Sequence, residues 1–499
     1  MERWAFDHVV VGGGAAGAVL ARTLAEKTSG RIALLEAGPT DEGRAEVLDF
    51  RRYKEVTASP LARLVPIVPP AAGNDRFFYP TSRVLGGSTS QNTCIWFRPP
   101  ASDFDDWVAA GATGWGPGNV TPHFEALEQR IHVETELPDG EGHRMLWDAA
   151  HDLGFAAVDF SAPFEEGMGT YRMSKAGTQR QSSSVAFLHP LSRLPTNLAV
   201  FTDTAVTGLL FGPDDEVCGV STVRGDFLAR WEVVLAAGAL DTPKLLMLSG
   251  IGPAHDLASL GIAVRRDLPG VGAHLLDHPA ACVNMAALRP MSRAPVWNYS
   301  GVLFARTRKD KTWPDIEMQL GPELFEQQTA PAGYPSAPHG FTAYMTVNRA
   351  RSQGSVRLRS TDVNDAPLVE PAYFTDQEGY DLGVMIGGIK LARLLFAAPS
   401  LEGWTGAELA PGADCRDDAA LAAYVRETAT TGYHPAGTCR MGAPSDRRSV
   451  VDPELRVIGL EKLRVADASV MPKMVSVNIA PTCMMIGQRA AEIIAANCA

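Results

Sequence analysis

The chain has 499 residues, is 45% hydrophobic and 20% charged, and carries a formal net charge of -12. That length exceeds one typical hydrophobic core, so two lobes are expected. The acidic balance, without a long basic run, argues against nucleic acid as a partner, and no apolar run approaches the roughly eighteen residues of a membrane span. Seven scattered cysteines without a C-x-x-C fit reduced thiols in a cytoplasmic enzyme, and they support neither a disulfide framework nor a metal site. The first strand is expected to begin near His8, which leaves no room for a signal peptide ahead of it.

Asp7 to Pro39 is the densest stretch. His8 to Val11 form an apolar run into Gly12, Gly14 and Gly17, Ala15 to Lys27 read as a helix, and Arg31 to Leu35 read as a second strand ending in Glu36. A G-x-G-x-x-G alone can be a plain glycine loop. Strand, turn, helix, strand and acid in this order are what a dinucleotide site needs. The first glycine makes the turn, the second lets backbone approach a pyrophosphate, and the third lets helix and strand pack. Glu36 is spaced to accept ribose hydroxyls. Thr40 to Ser82, broken by Pro60, Pro66, Pro69, Pro70 and Pro80, reads as a long excursion with little regular structure. Such excursions tend to cover a cofactor or substrate.

Arg83 to Arg98 follows, with Gly86 and Gly87 for close approach and Ser90, Asn92 and Thr93 among its short polar groups; a Ser/Thr-rich turn is the plain alternative. Glu232 to Ala237 reads as a buried strand. It closes on Ala236-Ala237-Gly238, and a helix is expected from about Thr242 with Pro243 near its first turn. From Ala286 to about Arg426 apolar and polar residues alternate, as in Gly340 to Met345 and Ser355 to Arg359, which predicts strands with one wet face. Helices are expected at Glu378 to Ala397 and Asp417 to Thr428. Leu463 to Ala466 then read as a strand before Asp467, and a closing helix spans about Thr482 to Ala496.

Seven stretches, VVVGGGAAG, LLEAG, VLGGSTSQN, GALDTPKLLMLSGIGP, LPGVGAHLLDHP, YHPAGTCRMG and LRVADASVMP, resemble in content and order the glucose–methanol–choline family of flavin-dependent oxidoreductases, on its choline-oxidising side. The resemblance covers essentially the whole chain. It implies FAD in a doubly wound, Rossmann-like α/β lobe, and a second α+β lobe whose antiparallel sheet, flanked by helices, roofs the flavin. The expected division is 1–154, 193–285 and 428–499 for the FAD lobe, and 155–192 and 286–427 for the substrate lobe. Glu36 is then expected on ribose, Asp467 and Ala468 near the pyrophosphate or ribityl chain, and Val206 at the adenine.

His434, alone more often a structural histidine, matches the family's active-site histidine. A neutral imidazole is suited to take the proton of an alcohol as hydride leaves its carbon. Asn478 matches the second polar position, where a turn or helix-cap asparagine is the plain alternative. Gln91 stands where a histidine would bond covalently to flavin, so the FAD is expected to be non-covalent. Ala280 stands in place of a glutamate that meets a quaternary ammonium, and Gln319 in place of a further histidine. With Tyr433 and Phe325 they are the expected substrate-side residues, and Trp297 or Phe325 can offer an aromatic face. A neutral apolar or aromatic alcohol is therefore expected rather than choline, with oxygen or another electron acceptor, and a homodimer is compatible. A lyase or decarboxylase on the same scaffold, or a choline-type dehydrogenase feeding a quinone or protein carrier, is the alternative. No metal is expected.

Overall fold

The computed structural model describes residues 2–68, 77–137, 140–161, 165–291, 301–308, 310 and 312–498. Trp297, Pro69 and Pro70 lie outside them.

The first sheet has seven strands. Glu2–Val11, longer than expected, lies at its centre between Ile32–Leu35 and Gly225–Leu235, parallel to both. Leu198–Phe201 extends the parallel set on one side and Leu463–Val465 on the other. The strands Val206–Phe211 and Val217–Thr222 add an antiparallel pair. All four residues of Ile32–Leu35 are buried, as expected for a parallel strand covered on both faces. Helix Ala15–Lys27 matches its expected limits. It packs against Ala480–Asn497, and the Thr23 hydroxyl donates to Gln488 Oε1 at 2.8 Å. Gly12 has φ +102°, and a Cβ on Gly17 would lie 1.9 Å from the Gly12 carbonyl. Both positions therefore require glycine.

The helix after Gly225–Leu235 spans Gly238–Leu248, earlier than expected, with Pro243 inside it. Proline removes the N–H that would bond the Ala239 carbonyl. Thr438 Oγ1 supplies that bond at 2.6 Å, so the interruption is satisfied from another part of the chain.

The second sheet has eight strands. Pro279–Ala287, Gly340–Val347, Ile316–Gly321 and Gly301–Ala305 form its antiparallel centre. Ile316, Met318, Leu320, Ala343 and Met345 join a core with Val384, Ile389 and Leu421 from helices Tyr380–Phe396 and Asp418–Thr428. The opposite, more polar face was expected to be wet, yet all eight residues of Gly340–Val347 are buried. The alternation marks two different coverings: helices on one side and, on the other, the wall of a cavity lined by Tyr344, Thr346 and Gln319.

Thr40 to Ser82 is also more regular than expected. It holds helices Ala45–Leu48 and Tyr53–Thr57 and the paired strands Ala62–Pro66 and Phe78–Ser82. Pro66 and Pro80 fit because a two-stranded ladder leaves one edge of each strand free of bonds. Ser355 to Arg359 corresponds to strand Gly354–Arg357, which belongs not to the large second sheet but to a separate three-stranded one with Ala273–Leu275 and Leu368–Glu370. Helix Glu141–Asp152 contributes Met145, Leu146, Ala149 and Ala150 to the second core, and Thr430–Thr431 pairs with Pro279–Ala287.

Candidate active site

A cavity of about 630 Å³ is lined both by Gly12, Gly14 and Glu36 and by His434, Asn478 and Gln319. Glu36 is buried at the end of its strand, accepting from Gly13 N at 2.9 Å and Gly38 N at 2.8 Å. Burial, only partly offset by these bonds, pushes its carboxyl up to about 7. Each oxygen has one bonded N–H and retains a lone pair for a hydroxyl donor. With the N-terminus of Ala15–Lys27 and the Cβ-free surface of Gly14, this forms a cradle suited to the ribose and pyrophosphate of a dinucleotide.

The 83–94 loop closes over the first glycine loop. Gly86 N donates to Gly13 O at 2.8 Å, and a Cβ on Gly87 would lie 2.8 Å from Gly14 Cα. Asn92 and Thr93 line the cavity. Buried Arg180 ties the loop down through the Thr89 carbonyl at 3.1 Å and the Asn92 side-chain oxygen at 2.8 Å. Gln91 is bonded at both ends of its amide, receiving from the Ser82 hydroxyl and donating to Thr57 Oγ1. Gly86, Gly17 and Ser90 stand behind the cavity wall. Gly86 makes the turn at φ +88°, and Ser90 Oγ donates to the Leu85 carbonyl at 2.8 Å. Gly86 and Ser90 shape their loop, and Gly17 lets helix Ala15–Lys27 lie against the Gly12 carbonyl.

Asp467, Ala468 and Val206 line the cavity. Asp467 accepts from Gly238 N at 2.9 Å, Thr242 Oγ1 at 2.6 Å and Ser469 N at 2.8 Å. It ties the start of helix Gly238–Leu248 to the end of Leu463–Val465, so its carboxylate is largely engaged within the protein.

The imidazole of His434 is oriented by a second histidine. His278 Nε2 lies 2.7 Å from the Val475 carbonyl, and its Nδ1 lies 2.8 Å from His434 Nδ1. A carbonyl only accepts, so His278 carries its proton on Nε2 and presents a bare Nδ1. His434 must then donate from Nδ1, which leaves its Nε2 unprotonated. Asn478 Nδ2 lies 3.3 Å from that nitrogen. Burial lowers both imidazoles, His278 to about 4 and His434 well below its ordinary value, the latter depressed further by His278. Both rings are therefore neutral at pH 7. His434 Nε2 is a proton acceptor and Asn478 Nδ2 a donor beside it, together suited to an alcohol hydroxyl.

Two buried carboxylates hold this pair in place. Asp277 Oδ1 accepts from the backbone N–H groups of His278 at 2.8 Å and His434 at 3.0 Å, while Oδ2 accepts from Tyr79 at 2.8 Å, Thr431 at 2.6 Å and Tyr373. Asp103 accepts from Ser476 N and Oγ, and Arg349 lies 2.6 Å from it, fixing the segment that presents Asn478. Burial raises the Asp103 carboxyl to about 6 against the pull of Arg349.

Of the expected substrate-side residues, Gln319, Phe325 and Tyr433 line the cavity, and Tyr433 takes φ +70° immediately before His434. Ala280 does not line it. It is fully buried in a small cluster with Cys282, Tyr344 and Phe325, because a methyl group is too short to reach past its neighbours. Sequence reasoning missed His278, Asp277, Asp103 and Arg349 as parts of the site; only the Asp277-His278-Pro279 motif signalled any of them. Among the described residues no group of three His, Cys, Asp or Glu is placed to hold a metal, and no helix is long and apolar enough to cross a membrane.

The N-terminal model of the GMC oxidoreductases matches residues 6–280 and the C-terminal model residues 350–487. The chain is 42% identical to choline oxidase of Arthrobacter globiformis, covering 98% of this chain and 94% of that one. It is 33% identical to alcohol dehydrogenase [acceptor] of Pseudomonas putida, covering 98% and 95%. Its fold matches pyridoxine 4-oxidase from Mesorbium loti with a TM-score of 0.88 at 25% identity, covering 97% and 98%. The chain therefore belongs to the GMC oxidoreductase family, and it is an FAD-dependent oxidoreductase acting on CH–OH donors.

Proposed function

We propose that the protein oxidises a neutral, apolar or aromatic alcohol to the aldehyde or ketone, with His434 as the base. The observation that carries this reading is the Val475–His278–His434 hydrogen-bond chain, which leaves His434 Nε2 unprotonated beside Asn478 Nδ2. Nε2 takes the hydroxyl proton while Nδ2 donates to the oxygen as negative charge builds there. The resulting imidazolium keeps the oxygen paired until the C=O bond has formed. Bound FAD supplies the acceptor for the hydride leaving the carbon. Oxygen or another electron acceptor would complete the turnover.

Tyr344 and Phe325 line the cavity and pack on the buried Ala280 and Cys282 as an apolar corner of the second sheet, which supports an uncharged substrate body. A quaternary ammonium placed there would lack a contact anion. Aromatic faces at about 0.5–2 kcal/mol each only partly offset its desolvation. Glu36, Gly12, Gly14, Gly87, Asn92, Thr93, Val206, Asp467 and Ala468 form the cofactor side of this reading. Anaerobic mixing with benzyl-type and medium-chain alcohols is expected to bleach the flavin, with a higher specificity constant than choline. A higher constant for choline would refute the neutral-substrate reading.

A further inference from the structure

Behind the 83–94 loop lies a charge that proton and hydride transfer leave unused. Arg180 is fully buried, and a guanidinium keeps its charge when buried. Its described partners are all neutral. Nε donates to the Val47 carbonyl at 3.1 Å and Nη1 to the Thr89 carbonyl at 3.1 Å. Nη1 also meets the Asn92 carbonyl at 2.6 Å, the Asn92 side-chain oxygen at 2.8 Å and Cys94 Sγ at 3.1 Å. Nη2 has no partner among the described residues. An arginine is almost never fully buried without a counter-ion, yet none of these groups is one.

The loop is folded around this charge on the side of the cavity that holds the base. Cys94 and Ile95 share a buried cluster with Val477, the residue before Asn478. Asn92 Oδ1 accepts from Cys94 N at 3.1 Å as well as from Arg180, so both its lone pairs are engaged. Asn92 lines the cavity, and its Nδ2 is left as a donor there. Lys175, the other cation whose charge reaches the Cys94 thiol, is closed off by Glu134 and Glu136, each 2.9 Å away and partly exposed. The charge on Arg180 is not closed off in this way.

We propose that Arg180 raises the reduction potential of bound FAD. It does not reach the cavity. It is a positioning residue, acting by its field and by holding Asn92 Nδ2 towards the cofactor. In the reaction the C–H bond of the alcohol breaks, and its hydride, one proton with two electrons, passes to FAD. The hydroxyl proton goes to His434 Nε2. FAD therefore gains one negative charge, and a buried cation without a counter-ion favours that product. At an effective permittivity of about 20, a unit charge within roughly 10 Å of another shifts an equilibrium about tenfold or more. The inference is independent of which alcohol is oxidised.

The test first changes the charge without altering Arg180. Cys94 has φ +61°, a region that Asn and Asp occupy more readily than most residues. Cys94→Asp places a counter-ion against Nη1, and Cys94→Asn gives the same shape without charge. Midpoint potentials of the FAD-loaded variants are read at pH 7 by anaerobic equilibration against a reference dye. Relative to Cys94→Asn, Cys94→Asp is expected to shift the balance at least tenfold towards oxidised FAD, a fall of about 30 mV for two electrons. Arg180→Gln is expected to fall likewise from the wild type, whereas Arg180→Lys keeps the charge and is expected to stay near it. Equal midpoints for Cys94→Asp and Cys94→Asn, or a higher one for Cys94→Asp, overturn the proposal. So does a fall in Arg180→Lys as large as in Arg180→Gln, because charge would then not be the cause. Each pair contrasts charge with its absence, so either one that loads FAD decides. Loss of FAD from all four variants would leave Arg180 a structural tie only and would also overturn it.

Discussion

His278 sets the direction in which His434 can move a proton, although it does not itself line the cavity. Its bare Nδ1 is the acceptor that holds the His434 proton away from the substrate. His278→Leu is expected to slow anaerobic flavin reduction by about 10- to 100-fold, the scale typical of lost orienting partners. His278→Gln, whose amide oxygen can still accept from His434, is expected to recover most of that rate in the same stopped-flow measurement. Equal rates in the two variants would show that the ring fills space only. Glu317 makes a second, thermodynamic prediction. Its folded value of about 7 lies above its ordinary 4.5, so the folded state holds a proton that the unfolded chain has lost between those values. Stability from this group is therefore present at low pH and declines as pH rises to about 7, by about 3 kcal/mol in all. In flavin-free protein, Glu317→Gln is expected to leave melting near pH 4.5 little changed and to raise the melting temperature at pH 8. A gain at the acid side instead would contradict the assignment.

At the scale of elements, the site depends on ties between distant segments. Thr438 completes the hydrogen-bond pattern broken by Pro243, so Thr438→Val is expected to cost about 1–3 kcal/mol, the range for an unsatisfied buried carbonyl, measured by denaturant unfolding of the loaded enzyme. The local signals for the nucleotide helix were strong enough to place Ala15–Lys27 correctly from sequence, because glycine turn, small residues and apolar periodicity agree there. The proline-rich 40–82 segment was misread because prolines exclude central strands but not a two-stranded ladder. Alternation in Gly340–Val347 revealed two unlike faces, yet a pattern of period two carries no information about what covers each face. His278 was overlooked because its role arises only when it meets His434, 156 positions away.

For the whole molecule, the two sheets bring Glu36 with its glycine loop and the His434–Asn478 pair to the wall of one cavity. Attachment of the cofactor follows from the same arrangement. The Gln91 amide is bonded to Ser82 and Thr57 and has no imidazole nitrogen with which to bond the flavin, so acid denaturation is expected to release the yellow colour into the supernatant. Colour retained in the washed pellet would point to another anchor. The most direct measurement is single-turnover flavin reduction by a good alcohol substrate under anaerobic conditions, comparing the wild type with His434→Ala. The variant is expected to retain FAD and to be reduced about 10²- to 10⁴-fold more slowly, the scale of a lost general base. Reduction at a near wild-type rate would contradict the assignment of His434 as the residue that takes the hydroxyl proton.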